Sequence, residues 1–319
     1  MSQDSEHSWR PRIGLALGSG VARGWAHIGV IRALARCGIR PDIISGTSIG
    51  AVVGASYITN ELDTLEDWAR SMTKLRMLSY MDFKVSSGGL MGGRHLVEIM
   101  QKHLGDATFE DYETPFVAVA TDLVTGHEVW LRDGKLVDAV RASFSLPGVF
   151  QPTLVNDRWV VDGALVNPVP VSVCQALGAQ MIIAVNLNAD IIGKARQPGG
   201  KIATVAGFDL LEMMKENAPA SSGSMLDALA RRTFKREPNQ PSLFGVMISS
   251  LNIVQDRIAR SRLAGEPPDV HITPRLGQIG LFEFDRADEI IAEGEASVER
   301  VLPDLRDALS VFAPGSGGF

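Results

Sequence analysis

The chain has 319 residues, 45% of them hydrophobic and 21% charged, enough to bury a sizeable core in one large α/β domain or two small ones. A formal charge of −6 argues against nucleic acid as the main partner and gives no general attraction to an anionic membrane, so any lipid contact must be local. Two cysteines, Cys37 and Cys174, cannot form a disulfide framework. The polar start MSQDSEHSWRPR lacks a signal-peptide core, and no stretch approaches the roughly 18 apolar residues of a spanning helix, so the expected location is the cytoplasm, with peripheral membrane contact allowed.

In chain order, a polar tail over 1–11 precedes a short apolar run at 13–17 (IGLAL), bounded by Pro11 and Gly18, that reads as a buried strand. After the turn Gly18-Ser19-Gly20, residues 25–37 carry Ile28, Ile31 and Leu34 at helical spacing, closed by Gly38. A second strand at 43–45 leads through a serine turn into a small-residue helix at 49–58. Strand, glycine turn, helix, strand, serine turn, helix is the opening of a three-layer α/β/α fold around a mostly parallel sheet. Further on, the pattern predicts helices at 61–77 and 94–104 with a loop at 86–93 between them, and strands at 116–120 and 127–131. A helix at 135–143, a strand at 159–161 running into Asp162-Gly163, and a buried strand at 181–187 follow. Residues 189–203 read as a mobile loop, and from there to about 241 the pattern is broken. A helix at 243–263, a strand at 270–272, a closing helix at 289–309 and a disordered tail at 313–319 complete one expected domain over 12–312.

Three elements carry chemistry. The loop 18–24 (GSGVARG) opens a helix after a strand, where outward amides at the positive end of a helix dipole suit a negative oxygen. The pentad Gly46-Thr47-Ser48-Ile49-Gly50 is a G-x-S-x-G elbow that lifts a serine hydroxyl out of a sheet. Asp162 closes a strand ahead of Gly163; taken alone, Asp-Gly is a common turn. Together they suit acyl transfer: Ser48 Oγ attacks an ester carbonyl, Asp162 takes its proton, and loop amides hold the oxyanion. A dinucleotide fingerprint is disfavoured, since its sixth position is Arg23 rather than glycine and Ser45 stands where an acidic residue is wanted. His95, Glu98 and His103 share a predicted helix, but their spacing suits a surface face better than a metal site. His27 reads as a packing residue and His127 as a remote candidate base. Residues 75–100 and 190–240 are candidate acyl-binding walls or lids; Met213, Met214, Leu229, Phe234 and the basic pairs at 231–232 and 235–236 are candidates for membrane contact.

The runs LALGSGVARGWAHIGVIRAL, GTSIGAVVGA, VATDLVTG, RASFSLPGVFQP and VVDGALVNPVP resemble, in the same order, the patatin-like phospholipase family. The likeness points especially to bacterial proteins similar to the catalytic domain of neuropathy target esterase. The resemblance implies a Ser48–Asp162 dyad hydrolysing acyl esters of phospholipids or lysophospholipids, with no metal or other cofactor. It also implies an oxyanion loop whose amides at Gly20, Val21 and Arg23 face the substrate, supported by Gly18, Ser19, Gly24, Gly46, Gly50 and Gly163. Ser19 and Val21 stand where glycines are usual, and β-branched Val21 narrows the site. That departure motivates the alternative of a weakly active protein that keeps the fold as a regulator or scaffold.

Overall fold

The computed structural model describes residues 10–80, 89–91, 94–190 and 243–312. Its sheet is assembled from short strands with few exposed positions. Strands β1 (Ile13–Leu17), β2 (Ile43–Thr47), β4 (Phe116–Asp122), β9 (Met181–Val185) and β10 (Val270–Ile272) run parallel in the order β10-β9-β1-β2-β4. Three antiparallel strands finish the sheet: β5 (Glu128–Leu131) and β8 (Arg158–Asp162) on β4, then β7 (Thr153–Val155) on β8. A separate parallel pair joins β3 (Gly89–Met91) to β6 (Gly148–Phe150).

Buried apolar runs occur where a sheet is covered on both faces, and the side chains divide accordingly. Leu15, Leu17, Ile44, Ala118, Ile183 and Val185 face one core, with helices α1 (Ala26–Arg36), α2 (Ile49–Ile58), α6 (Leu136–Ser143) and α9 (Ala287–Arg300) over them. Ala16, Ile43, Ile182 and Ala184 face the other, under α7 (Val171–Ala176) and α8 (Leu243–Gly265). The result is the three-layer architecture with a mostly parallel sheet that the opening pattern predicts.

Helices α1 and α9 meet backbone to backbone. A methyl group on Gly29 would collide with the Ile291 carbonyl oxygen, and one on Gly294 with the Ala26 carbonyl oxygen. Because neither obstacle is a flexible side chain, Gly294→Ala is expected to destabilise the fold by at least about 2 kcal/mol, read from the midpoint of urea unfolding.

Several predicted elements are corrected. The helix expected over 61–77 is two, α3 (Leu62–Arg70) and α4 (Lys74–Tyr80). Ser71 donates its hydroxyl to the Trp68 carbonyl, and the Thr73 side chain accepts the Arg76 amide, so hydroxyl residues end one helix and cap the next. The closing helix likewise divides at Val301 into α9 and α10 (Leu302–Phe312), because Pro303 lacks an amide and fits the first turn of a new helix. Part of the loop expected at 86–93 is strand β3. Helix α5 (Arg94–Leu104) lies where expected, whereas α7, β6 and β7 carry too few residues to show periodicity. The loop at 189–203 beyond Asp190, the tails over 1–9 and 313–319, and the membrane candidates at 213–236 lie outside the described residues. Among the described residues no helix is long and apolar enough to cross a membrane.

Candidate active site

The edge of β4 explains how two residues 114 positions apart meet. Strand β2 occupies that edge as far as the pair Thr47↔Val119. At the next position, Ala120, the partner becomes Asp162 of β8, arriving from the opposite direction. Two strand ends therefore abut on one edge, and the residue after Thr47 faces the last residue of β8. Ser48 Oγ donates a 2.6 Å hydrogen bond to Asp162 Oδ2.

Ser48 occupies the turn between β2 and α2 with φ 59° and ψ −123°, a left-handed conformation that costs a non-glycine residue on the order of 1–3 kcal/mol. Its amide is held by Ser143 Oγ at 2.9 Å, and Ser143 donates in turn to the Val119 carbonyl at 2.6 Å. Gly50 lets the first turn of α2 lie on the Leu17 carbonyl, where a methyl group would not fit. The serine thus stands at the positive end of the α2 dipole, which favours developing negative charge on its oxygen.

Asp162 is only 1% exposed. Its Oδ1 accepts the Ala164 amide at 2.8 Å, and its own carbonyl accepts the Thr121 hydroxyl at 2.8 Å. Burial raises the carboxyl pKa from 3.8 to about 7, against the opposing hydrogen bonds from Ser48 and Ala164. A carboxylate too weak in water to take a serine proton becomes a base matched to neutral pH.

The loop 18–24 lies beside this pair and is tied down on several sides. The Gly18 amide donates to Val185 O, that of Ser19 to Pro168 O, and that of Ala22 to Leu281 O. His27, fully buried, holds the Gly18 carbonyl at 2.7 Å through Nε2; burial lowers its pKa to about 4, so the ring is neutral and Nε2 carries the proton. Among the described residues the amides of Gly20 and Val21 have no acceptor. Arg23 departs from the expectation: its amide is committed to Gly20 O at 3.2 Å, so it is not available as an oxyanion donor. Its side chain instead donates from Nε and Nη2 to the Ile279 carbonyl at 2.9 and 2.6 Å, fastening the loop to the segment before α9. Val21 has φ 53°, which explains why glycine suits that position and why the valine is strained.

Beside Ser48 lies a cavity whose lining, among the described residues, is apolar except for Ser48, Ser56, Glu61 and His103. Trp25, in edge contact with Trp68 and Phe284 at 5.7 and 5.8 Å, forms part of its wall, as does Val21. From the segment expected as an acyl-binding wall, Met77, Ile99 and Met100 line it; 191–240 lies outside the described residues. His103 belongs to this lining, the side chain of His95 is outside the described residues, and no cluster of three metal-ligating side chains occurs among those described. His127 is exposed in the β4–β5 turn, and neither it nor His27 hydrogen-bonds to Ser48 or Asp162. Ser143 was not singled out by sequence reasoning; the only signal for it is the run RASFSLPG in which it sits.

The family model for patatin-like phospholipase matches residues 15–174, a span that contains both Ser48 and Asp162. An uncharacterized NTE family protein of Mycobacterium tuberculosis is 34% identical over 92% of this chain and 91% of its own length. Lysophospholipase NTE1 of Coccidioides immitis is 30% identical over 92% of this chain, which spans 18% of that protein. Neuropathy target esterase sws of Drosophila melanogaster is 34% identical over 56% of this chain and 13% of its own length.

Proposed function

The chain belongs to the patatin-like phospholipase family, which marks it as a lipid ester hydrolase, and from this we propose that Ser48 and Asp162 hydrolyse fatty acyl esters of lysophospholipids and phospholipids through an acyl-enzyme. The observation that carries the reading is the 2.6 Å hydrogen bond between Ser48 Oγ and a buried carboxylate whose pKa is near 7. As Oγ attacks the ester carbonyl carbon, its proton passes to Asp162 Oδ2. The amides of Gly20 and Val21 receive the oxyanion, each such donor contributing on the order of 3 kcal/mol in a dry site. Collapse of the tetrahedral species expels the alcohol, which leaves with the proton held by Asp162. Water then attacks the acyl-enzyme, giving its proton to Asp162, and collapse releases the fatty acid as Asp162 returns that proton to Ser48 Oγ. The apolar cavity beside Ser48 supports a fatty acyl group as the part of the substrate held there. The scaffold alternative draws on Val21 alone, whose side chain lines the cavity from a strained backbone.

The test is hydrolysis of a short-chain ester by the purified protein across a pH series. Only the ionised carboxylate acts as base, so kcat/KM is expected to fall about tenfold per pH unit below about 7 and to level off above it. A profile flat from pH 5 to 9 contradicts Asp162 as the base, and absence of turnover at every pH favours the scaffold.

A further inference from the structure

The geometry points to an acyl-chain ruler along helix α2: the cavity measures about ten carbons from Ser48 and ends at a polar stop formed by Ser56 and Glu61. This inference rests on the ester-hydrolase reading of the same cavity.

Ser48 stands at the N-terminus of α2, and Val52 and Ser56 follow at spacings of four, so all three share one helix face and all line the cavity. Eight residues of helix advance about 12 Å, which sets the run from the nucleophile to Ser56. A zigzag of bonds about 1.5 Å long advances roughly 1.3 Å per carbon, so that run holds on the order of ten carbons. The order of the other walls agrees. After a short turn α3 packs on α2 and runs back toward Ser48: Leu65 follows soon after Glu61, whereas Trp68 meets Trp25, whose neighbour Gly24 abuts Ile49 in the first turn of α2. The Glu61 amide donates to Ser56 O at 2.7 Å, which fixes Glu61 at the Ser56 end. His103 and Leu104, the last residues of α5, also line the cavity. The apolar lining thus meets Ser56, whose buried hydroxyl donates back to the Val52 carbonyl at 3.0 Å, beside the half-buried Glu61 side chain. Methylenes that stay within the run leave water; those beyond it meet polar groups and gain nothing.

Two variants move the stop in opposite directions. Ser56→Phe fills the far part of the run, and Glu61→Leu replaces a charge there with apolar surface; the Glu61 side chain makes no capping bond to α3. With p-nitrophenyl esters from butyryl to dodecanoyl, each below its critical micelle concentration, wild-type kcat/KM is expected to rise about fourfold per carbon to about ten and then level off. Ser56→Phe should lower the decanoyl-to-butyryl ratio at least tenfold, and Glu61→Leu should raise the dodecanoyl-to-decanoyl ratio severalfold. Melting shifts induced by saturated fatty acids of the same lengths read the cavity without any turnover. Fatty-acid shifts that keep these length profiles while no ester is cleaved uphold the ruler and overturn the hydrolase reading. Unchanged ratios in a folded Ser56→Phe protein overturn the ruler, and if that variant fails to fold, an unchanged ratio in Glu61→Leu does so.

Discussion

Ser48→Ala is expected to lower kcat/KM for a short-chain ester by at least roughly a thousandfold, since loss of a nucleophile removes the covalent route entirely and leaves only the contribution of the oxyanion amides and binding. The fold should survive. The amide of residue 48 keeps its bond to Ser143, the left-handed turn is unchanged in kind, and the lost contact is a single hydroxyl donating to Asp162. Removing that donor leaves a buried carboxylate with the Ala164 amide as its remaining partner, which favours uptake of a proton and limits the cost to about 1–2 kcal/mol. A variant that retains wild-type turnover, measured on protein with a normal melt, removes Ser48 from the mechanism.

Asp162→Asn should abolish turnover to a similar extent, because a carboxamide accepts no proton from Ser48. Its effect on stability has the opposite sign. The folded carboxyl titrates near 7, above its ordinary 3.8, so between those values the native state binds more protons than the unfolded chain. Stability from this group therefore falls as pH rises from about 4 to about 7, and the deficit is complete above that window. Asparagine is uncharged throughout and escapes it. The variant is expected to melt above wild type at pH 8, by roughly 1–4 kcal/mol in free energy, and to match it near pH 4. Thermal melts of both proteins at the two pH values check this; equal melting at pH 8 contradicts a buried, ionised base. The same burial that makes Asp162 basic would then be a cost to the fold, as is common where strain and desolvation are concentrated at a reactive site.

Much of this was legible in the residues because the physical constraints are local. IGLAL and MIIAVNL read as buried apolar strands, and β1 and β9 lie there, β9 ending at Val185, two residues short of the expected end. The elbow at Ser48 and the helix Ile49–Ile58 follow from small residues flanking a strained turn. Legibility ended where structure depends on distant partners. Nothing near Asp162 in sequence says that β8 ends against β2 on one edge of β4; the register of three strands decides it. Arg23 looked like one more donor of a glycine-rich loop, but its amide closes a helical turn and its guanidinium reaches a carbonyl 256 residues away. The breaks after Arg70 and Arg300 were hidden because apolar spacing continues across them, and only the hydroxyl caps and Pro303 betray the ends. Ser143 sits in the run RASFSLPG, but nothing in that run tells its role; that it accepts the Ser48 amide emerges from packing of α6 against β4.

The central claim is that the Ser48 hydroxyl is a nucleophile activated by Asp162, and covalent trapping reads this most directly. Incubation with a fluorophosphonate followed by intact and peptide mass spectrometry should give one adduct per chain, located on Ser48, absent from Ser48→Ala and formed much more slowly in Asp162→Asn. Folded wild-type protein that stays unlabelled, or that carries its adduct on another residue, contradicts the account.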